Sequence, residues 1–291
     1  MNDLIHRNKV RVFLYMTAMM IILGALGSFL SRVFHWGLTG TSMFLAAGAI
    51  INVVAYFFSD SLILRSAKAK PLVPAQVPEL FTMVEDLTRE CQLPMPKLYL
   101  IDDPAMNAFA TGRSPSHSAV AVTRGLLTKL TPDEVKGVVA HELAHVRNWD
   151  TLLMTAIATL AGLISILADV YWRSRIMSKA EEKDRSGILA IISMALAIFA
   201  PLAALFIQLA ISRQREFLAD ASGAQMTRNP SYLASALQKI GKDRRPLPSM
   251  STATAHLYFS NPLKAGGLVK KLFSTHPPIE DRIERLQGIT F

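Results

Sequence analysis

His141-Glu142-Leu143-Ala144-His145 places two histidines four positions apart near the middle of the chain. On an α-helix this spacing puts both side chains on one face, about 6 Å apart along the axis, so both imidazoles can bind one zinc ion. Glu142 lies one position round the helix, where a carboxylate can reach water activated by the metal without itself being a ligand. The stretch therefore predicts the metal centre and general base of a zinc-dependent peptidase.

The residues before this stretch predict a helix start. Thr131 is a suitable N-cap, Pro132 suits the first helical position, and Glu134 is placed to close a capping box. An apolar stripe then runs along the helix and comprises Val135, Val138, Val139, Leu143 and Val146. The histidines lie at its margin, beside a cleft, with Glu142 facing inward. The competing interpretation, packing alone, would leave a buried acid that needs neutralising.

The hydrophobic residues, 51% of the 291-residue chain, are concentrated in a few long runs. A run near 20 residues can cross the hydrocarbon core of a bilayer as a helix, so the pattern predicts about four transmembrane helices. They are Val12–Leu30, Leu38–Phe58, Thr151–Trp172 and Gly187–Ser212. The third is the weakest, because its uncharged part is short and ends at Asp169.

The spans divide the chain into four segments. Residues 1–64 form an N-terminal transmembrane hairpin, and residues 65–150 form the first part of the peptidase domain. A second hairpin covers residues 151–212, and residues 213–291 complete the peptidase domain. Because a second span follows the first almost at once, a membrane anchor is favoured over a cleaved signal peptide.

The net charge of +9 fits a membrane protein better than a nucleic-acid-binding protein. Basic residues usually flank spans on the cytoplasmic side, which predicts that the basic tail of residues 1–11 is cytoplasmic. The sequence contains no basic helix with interleaved aromatic residues, so it does not indicate a nucleic-acid partner. The single cysteine, Cys91, excludes an internal disulfide framework and is expected to pack on a helix.

Three short runs between positions 97 and 123 predict strands of a small β-sheet: residues 97–101, 107–111 and 118–123. The middle run consists of Asn107, Ala108, Phe109, Ala110 and Thr111. At a sheet edge, such a strand could pair its backbone with an extended peptide and so accept many sequences. An internal strand of the sheet explains the same pattern equally well.

Glu216 and Asp220 are four residues apart and share one face of a predicted helix. They are either two solvated acids, or Glu216 is the third zinc ligand and Asp220 orients a ligating histidine. The second interpretation requires the chain between His145 and Glu216 to cross the bilayer an even number of times, and two spans supply this. A hairpin that only dips into the membrane would satisfy it as well.

His276 precedes two prolines and a helix, and the stiff backbone there would let it donate to an oxyanion at the metal. A surface histidine at a helix entry is the alternative. His117 and His256 show no ligand spacing and are excluded from the site.

Four motifs together resemble the HtpX family of bacterial membrane zinc endopeptidases, which is related to the CaaX prenyl proteases of the Ste24 type. They are His141 to His145, Glu216 to Asp220, Asn107 to Gly112, and His276-Pro277-Pro278. The resemblance covers nearly the whole chain. It implies a mostly α membrane protein whose α+β, gluzincin-like zinc peptidase domain contains a small β-sheet.

The resemblance also implies residue roles. His141, His145 and Glu216 would hold one Zn²⁺ per chain, Glu142 would be the base, and Asp220 would lie behind a ligand. The protein would be a multi-pass protease of the bacterial inner membrane with its active site facing the cytoplasm. Its substrates would be misfolded or damaged membrane proteins and unfolded polypeptides. The oligomeric state is not indicated.

Two other functions use the same residues. A prenyl-peptide protease shares the chemistry but would need a large intramembrane chamber, for which four spans are few. A non-catalytic membrane scaffold stabilised by zinc would need a closed site with four ligands, whereas the sequence offers three good ones.

Overall fold

The computed structural model describes residues 2–33, 35–155, 157, 213–243, 258–259 and 277–291. The third and fourth predicted spans lie outside these residues, apart from positions 151–155 and 157. His256 and His276 lie outside them as well.

Helices dominate the described part of the chain. They are α1 (Asn2–Val33), α2 (Gly37–Phe57), α3 (Ser59–Ser66), α4 (Pro78–Glu90), α5 (Arg124–Lys129), α6 (Pro132–Arg147), α7 (Arg213–Thr227), α8 (Pro230–Lys242) and α9 (Ile279–Gln287). The strands are β1 (Lys70–Pro71), β2 (Lys97–Ile101), β3 (Ala108–Ser114) and β4 (His117–Thr123). Residues 150–155 are also helical and follow α6 after a short break.

Within the described residues, α1 and α2 are the two helices long and apolar enough to cross a membrane. Both expose large apolar side chains, among them Phe13, Leu14, Ile21, Leu38, Met43 and Ile50. Such surfaces are costly in water and suit lipid. Helix α1 begins at Asn2, so the basic residues before the first predicted span are continuous with the first helix.

The four strands form one mixed sheet in the order β1-β2-β4-β3. Strand β4 pairs parallel with β2, with Lys97 opposite Ala119, and antiparallel with β3, with Ala108 opposite Val122. Among the described residues β3 lies at the sheet edge, which is the first of the two interpretations given above for the middle run.

Strand β3 differs from its predicted bounds at both ends. Asn107 lies just before the strand, and its side-chain Oδ1 accepts a hydrogen bond from the backbone N–H of Ala108 at 3.0 Å. At the other end, Gly112 does not break the strand but lies in a bulge with φ of 134°, so the strand continues to Ser114. A glycine supplies this backbone conformation without the steric cost that a side chain brings.

Helix α6 contributes residues along its whole length to the main hydrophobic core of the described residues. Its predicted capping box is present, because Thr131 Oγ1 accepts from Glu134 N at 3.3 Å and Glu134 Oε2 accepts from Thr131 N at 2.8 Å. The predicted apolar stripe is buried throughout and belongs to one core cluster with residues of the sheet, α4, α7 and α8. The helix that carries the histidines is therefore fixed on several sides.

Candidate metal centre

Helices α6 and α7 bring three potential metal ligands together. The Nε2 atoms of His141 and His145 are 3.2 Å apart. The Glu216 carboxylate reaches His141 Nε2 at 3.8 Å and His145 Nε2 at 3.5 Å. Ligand atoms at bonding distance from one tetrahedral zinc ion lie roughly 3.3–3.5 Å apart. The arrangement therefore fits a single ion bound between two imidazoles and a carboxylate, all within 4.8 Å of one another.

Close contact between α6 and α7 creates this arrangement. A Cβ atom built on Gly223 of α7 would lie 2.9 Å from the backbone nitrogen of His141. Any side chain at position 223 would push the helices apart. Two turns earlier on α7, Glu216 is then held opposite the histidines, and its residue is only 5% exposed.

Each of the two histidines is bonded to a carboxylate through Nδ1, the ring nitrogen that faces away from the other histidine. His141 Nδ1 lies 2.9 Å from Asp220 Oδ1, and His145 Nδ1 lies 3.1 Å from Asp150 Oδ2. A carboxylate at Nδ1 favours the proton there and leaves Nε2 as the metal-binding atom. Both rings are thereby oriented towards the same point.

Asp150 was not identified from the sequence, where it stands just before a predicted span. It reaches back to His145 because the chain breaks after α6 at Trp149, which adopts φ of 60°. Positive φ is uncommon for a residue with a large side chain. The only local sequence signal was an acid directly flanking the apolar run.

Arg282 of α9 was also missed. Its side chain, 1% exposed, donates from Nε and Nη2 to the two oxygens of Asp220 at 2.8 and 2.6 Å. Its Nη1 lies 4.0 Å from Glu216 Oε2. Arg282 is three residues after Ile279 and four before Leu286, on the inward face of α9. The available sequence signal was the presence of a charged residue on the otherwise apolar, inward face of this helix.

Glu142 is 3% exposed and lies on α6 between the two histidines. Its charge acts on both His145 and Arg282. Glu142 is therefore part of the charged cluster around the three potential ligands, a position from which a carboxylate can act beside a metal.

The surrounding charges affect the two imidazoles differently. Burial lowers the pKa of His141 to about 4. At His145, burial acts in the same direction but is outweighed by the hydrogen bond to Asp150 and the charge of Glu216, so its pKa rises to about 9. Both imidazoles lie in a cluster of carboxylates. A divalent cation satisfies the same negative surroundings.

The edge of β3 lies next to the histidines. Ala108 O accepts a hydrogen bond from Phe259 N at 2.8 Å, and the Phe259 ring meets the His141 ring at a centroid distance of 5.1 Å. Further along the edge, Gly112 N donates to Thr155 Oγ1 at 3.5 Å. In an antiparallel ladder every second residue faces away from its partner strand. Ala110, between these contacts, therefore directs its backbone N–H and C=O outward.

His117 is the first residue of β4, and its Nδ1 lies 3.1 Å from the hydroxyl oxygens of Ser114 and Ser116. It is outside the cluster of three ligands.

Comparisons with known proteins agree with this geometry. The model of peptidase family M48 matches residues 74–290. A "Protease HtpX homolog" of Caldanaerobacter subterraneus subsp. tengcongensis is 44% identical over 290 residues, 97% of this chain and 96% of the relative. One from Tropheryma whipplei is 41% identical over 287 residues, 99% and 98% of the two chains.

Among solved structures, the crystal structure of S. mikatae Ste24p has a similar fold, with a TM-score of 0.53. It is 20% identical, and the similarity covers 95% of this chain and 67% of that protein.

Proposed function

The chain belongs to peptidase family M48, and from this premise we propose that it is a membrane zinc endopeptidase that degrades misfolded or damaged membrane proteins. The single observation that carries the proposal is the convergence of His141 Nε2, His145 Nε2 and the Glu216 carboxylate. As a member of this family the protein is a metallopeptidase, a hydrolase.

Zinc is the metal that best suits these donors. Two imidazole nitrogens and one carboxylate are a ligand set of catalytic zinc sites, which keep a fourth position open for water or substrate. The described residues offer three ligands, and a structural zinc site would require four. This favours a peptidase with one zinc ion per chain over a zinc-stabilised scaffold.

In hydrolysis, bound zinc would supply a Lewis acid that acidifies water and polarises the scissile carbonyl. Glu142 would accept the proton of the attacking water and pass it to the leaving amide nitrogen. Asp220 and Asp150 would keep the two imidazoles oriented during this step. We assign His276, six residues before Arg282 in the chain, as the donor to the oxyanion.

The edge of β3 is proposed as the substrate strand. An extended peptide would add to the sheet beside Ala110, whose outward N–H and C=O can bind main-chain groups of any sequence. The hydrogen bond from Phe259 to Ala108 supports this, because it is a contact of the same kind at the same edge. Recognition of main chain requires an extended substrate, which suits unfolded polypeptides.

The contact between α1 and the peptidase domain supports a cytoplasmic active site. Asn8 of α1 bonds to Asp150, which bonds to His145. The same end of α1 carries Arg7, Lys9 and Arg11, and basic residues at the end of a span favour the cytoplasmic side. We therefore place the protein in a bacterial inner membrane with the metal centre on the cytoplasmic side.

The contact between His141 and Glu216 also supports the proposed order of segments. Residues 65–150 and 213–291 would form one peptidase domain, since His141 and Glu216 meet there. Residues 1–64 and 151–212 would each form a membrane hairpin, and the latter would return the chain to the same side.

The test is cleavage of an unfolded model polypeptide by the full-length protein in detergent, first stripped of metal and then given zinc. We expect zinc-dependent cleavage that is lost in Glu142→Gln, with zinc binding retained. Turnover by the pure variant would contradict the role of Glu142. Stoichiometric zinc without any cleavage would favour the scaffold. Preferential cleavage of isoprenylated peptides would instead indicate a prenyl-peptide protease.

A further inference from the structure

The first membrane helix is linked to the metal centre through two side chains. Asn8 Nδ2 donates to Asp150 Oδ1 at 2.7 Å, and Asp150 Oδ2 lies 3.1 Å from His145 Nδ1. The same amide nitrogen also donates to the backbone carbonyl of Asn148 at 3.1 Å. Asn8 and Asp150 are each 2% exposed. A continuous, buried chain of hydrogen bonds thus runs from α1 to a metal-ligating imidazole.

The surrounding contacts hold this end of α1 against the segment that follows α6. Val12 packs in a buried cluster with Leu152, Leu153 and Ile157. The Lys9 ammonium lies 4.0 Å from the centre of the Trp149 ring. Trp149 is the residue with positive φ that turns Asp150 back towards His145. The contact at Asn8 is therefore part of an extended interface.

We propose that Asn8 is a positioning residue of the metal centre, which acts through Asp150 to orient His145 and so makes metal affinity depend on the placement of the first membrane helix. This inference rests on the proposed function, in which His145 binds the metal.

The two oxygens of Asp150 explain why the amide matters. One oxygen holds His145, and the other is held by Asn8. Removing the amide leaves a buried acceptor without this donor, and the carboxylate gains freedom to rotate. Buried Arg215 of α7 also acts on Asp150 by its charge, so the charge of Asp150 stays partly balanced. We thus expect the substitution to disturb the orientation of the Asp150 carboxylate. This should weaken metal binding more than it lowers the stability of the fold.

The experiment measures metal binding directly, with the full-length protein in detergent. Zn²⁺ affinity is measured by competition with a chromophoric chelator, and the visible absorption of the Co²⁺ form reports the ligand geometry. Partners behind metal ligands typically contribute 10–100-fold to affinity. For Asn8→Ala, one step further from the metal, we expect about 10-fold weaker Zn²⁺ binding and an altered Co²⁺ spectrum.

Two further variants make the result specific. Asn8→Gln keeps the amide donor and should recover part of the lost affinity. Asn52→Ala is the matched control, because Asn52 also lies on a membrane helix and donates to a backbone carbonyl, that of Met16, at 3.2 Å. The control should bind Zn²⁺ as the unchanged protein does.

The inference is overturned if Asn8→Ala binds Zn²⁺ with unchanged affinity, or if Asn52→Ala weakens binding equally. Should Asn8→Ala fail to fold, the comparison of Asn8→Gln with Asn52→Ala decides. A Zn²⁺ affinity of Asn8→Gln below that of Asn52→Ala supports the role of the amide, and equal affinities exclude it. The proposed function fails separately, if the unchanged protein itself binds no zinc or cleaves no polypeptide.

Discussion

Arg282 holds both oxygens of Asp220, and Asp220 in turn holds His141. A guanidinium that binds a carboxylate at two points fixes its orientation as well as its charge. Burial by itself would raise the pKa of Asp220, but the charge of Arg282 and the hydrogen bonds from His141 and Arg282 lower it below its ordinary value. Asp220 is therefore an ionised acceptor at neutral pH.

Replacing Arg282 should affect both folding and the metal centre. In Arg282→Ala the carboxylate of Asp220 stays buried without its partner, and breaking such a pair typically costs about 3–5 kcal/mol of stability. Arg282→Lys keeps the charge but loses the two-point contact, so we expect a smaller loss of stability and weaker zinc binding. Denaturant unfolding of the metal-free protein measures the first effect. Arg285→Ala, on the exposed face of α9, is the control, and an equal loss there would contradict the prediction.

Gly223→Ala should separate α6 from α7. The added methyl group would meet the backbone of His141, which cannot move aside as a flexible side chain can. Overpacking of this kind costs about 1–3 kcal/mol. Because Glu216 and Asp220 move with α7, zinc affinity should fall as well, as a chelator competition would show. A methyl group at Gly288 meets nothing closer than 3.5 Å, so Gly288→Ala should retain affinity. Equal affinities in the two variants would contradict this account.

Glu134→Gln should remove stability that depends on pH. Glu134 accepts hydrogen bonds from Ser235 Oγ at 2.6 Å, Lys239 Nζ at 2.7 Å and Thr131 N at 2.8 Å. Burial would raise the pKa of this carboxyl, but these donors lower it below the ordinary 4.5. A lowered pKa stabilises the fold above the ordinary value, and this contribution is lost as the pH falls through the folded-state pKa.

We therefore expect Glu134→Gln to cost about 1–2 kcal/mol at pH 7 and less below pH 4.5. Unfolding curves of both proteins between pH 7 and about pH 3 would measure the difference. Glu85→Gln, at an exposed site of α4, should have a small effect at every pH. If the free energies of unfolding of the two proteins differed by the same amount at every pH, the charge of Glu134 would be unimportant for stability.

Ala110→Pro tests the substrate strand. Proline removes an N–H that faces away from β4, and a sheet tolerates it at an edge position of this kind. A net hydrogen bond contributes about 0.5–1.5 kcal/mol, so kcat/KM should fall roughly 2–13-fold while zinc content and the unfolding midpoint change little. Unchanged kcat/KM for an unfolded polypeptide would place the substrate elsewhere.

Local patterns in the sequence predicted the central elements correctly. The capping box at Thr131 fixes the start of α6, and the runs predicted as strands at residues 97–101 and 118–123 correspond to β2 and, within one residue, to β4. The family resemblance, which depended on four motifs in order, is confirmed by the comparisons. The capping box, the strands and each single motif depend on residues a few positions apart.

The supporting side chains could not be predicted in this way. Asn8 bonds to a residue 142 positions away, and Arg282 to one 62 positions away. Nothing in the sequence relates such partners, because the fold alone brings them together. The edge position of β3 could not be predicted from the sequence either, because strand order depends on contacts between distant segments. About four spans were predicted, of which the described residues contain two.

The two carboxylates that bond to His141 and His145 depend on opposite parts of the chain, since Asn8 bonds to Asp150 and Arg282 bonds to Asp220. During translation the first partner is made before the histidines and the second long after them. Until Arg282 has left the ribosome, Asp220 has no guanidinium to hold it in place. In a growing chain, His141, His145 and Glu216 are thus synthesised before the guanidinium that orients Asp220.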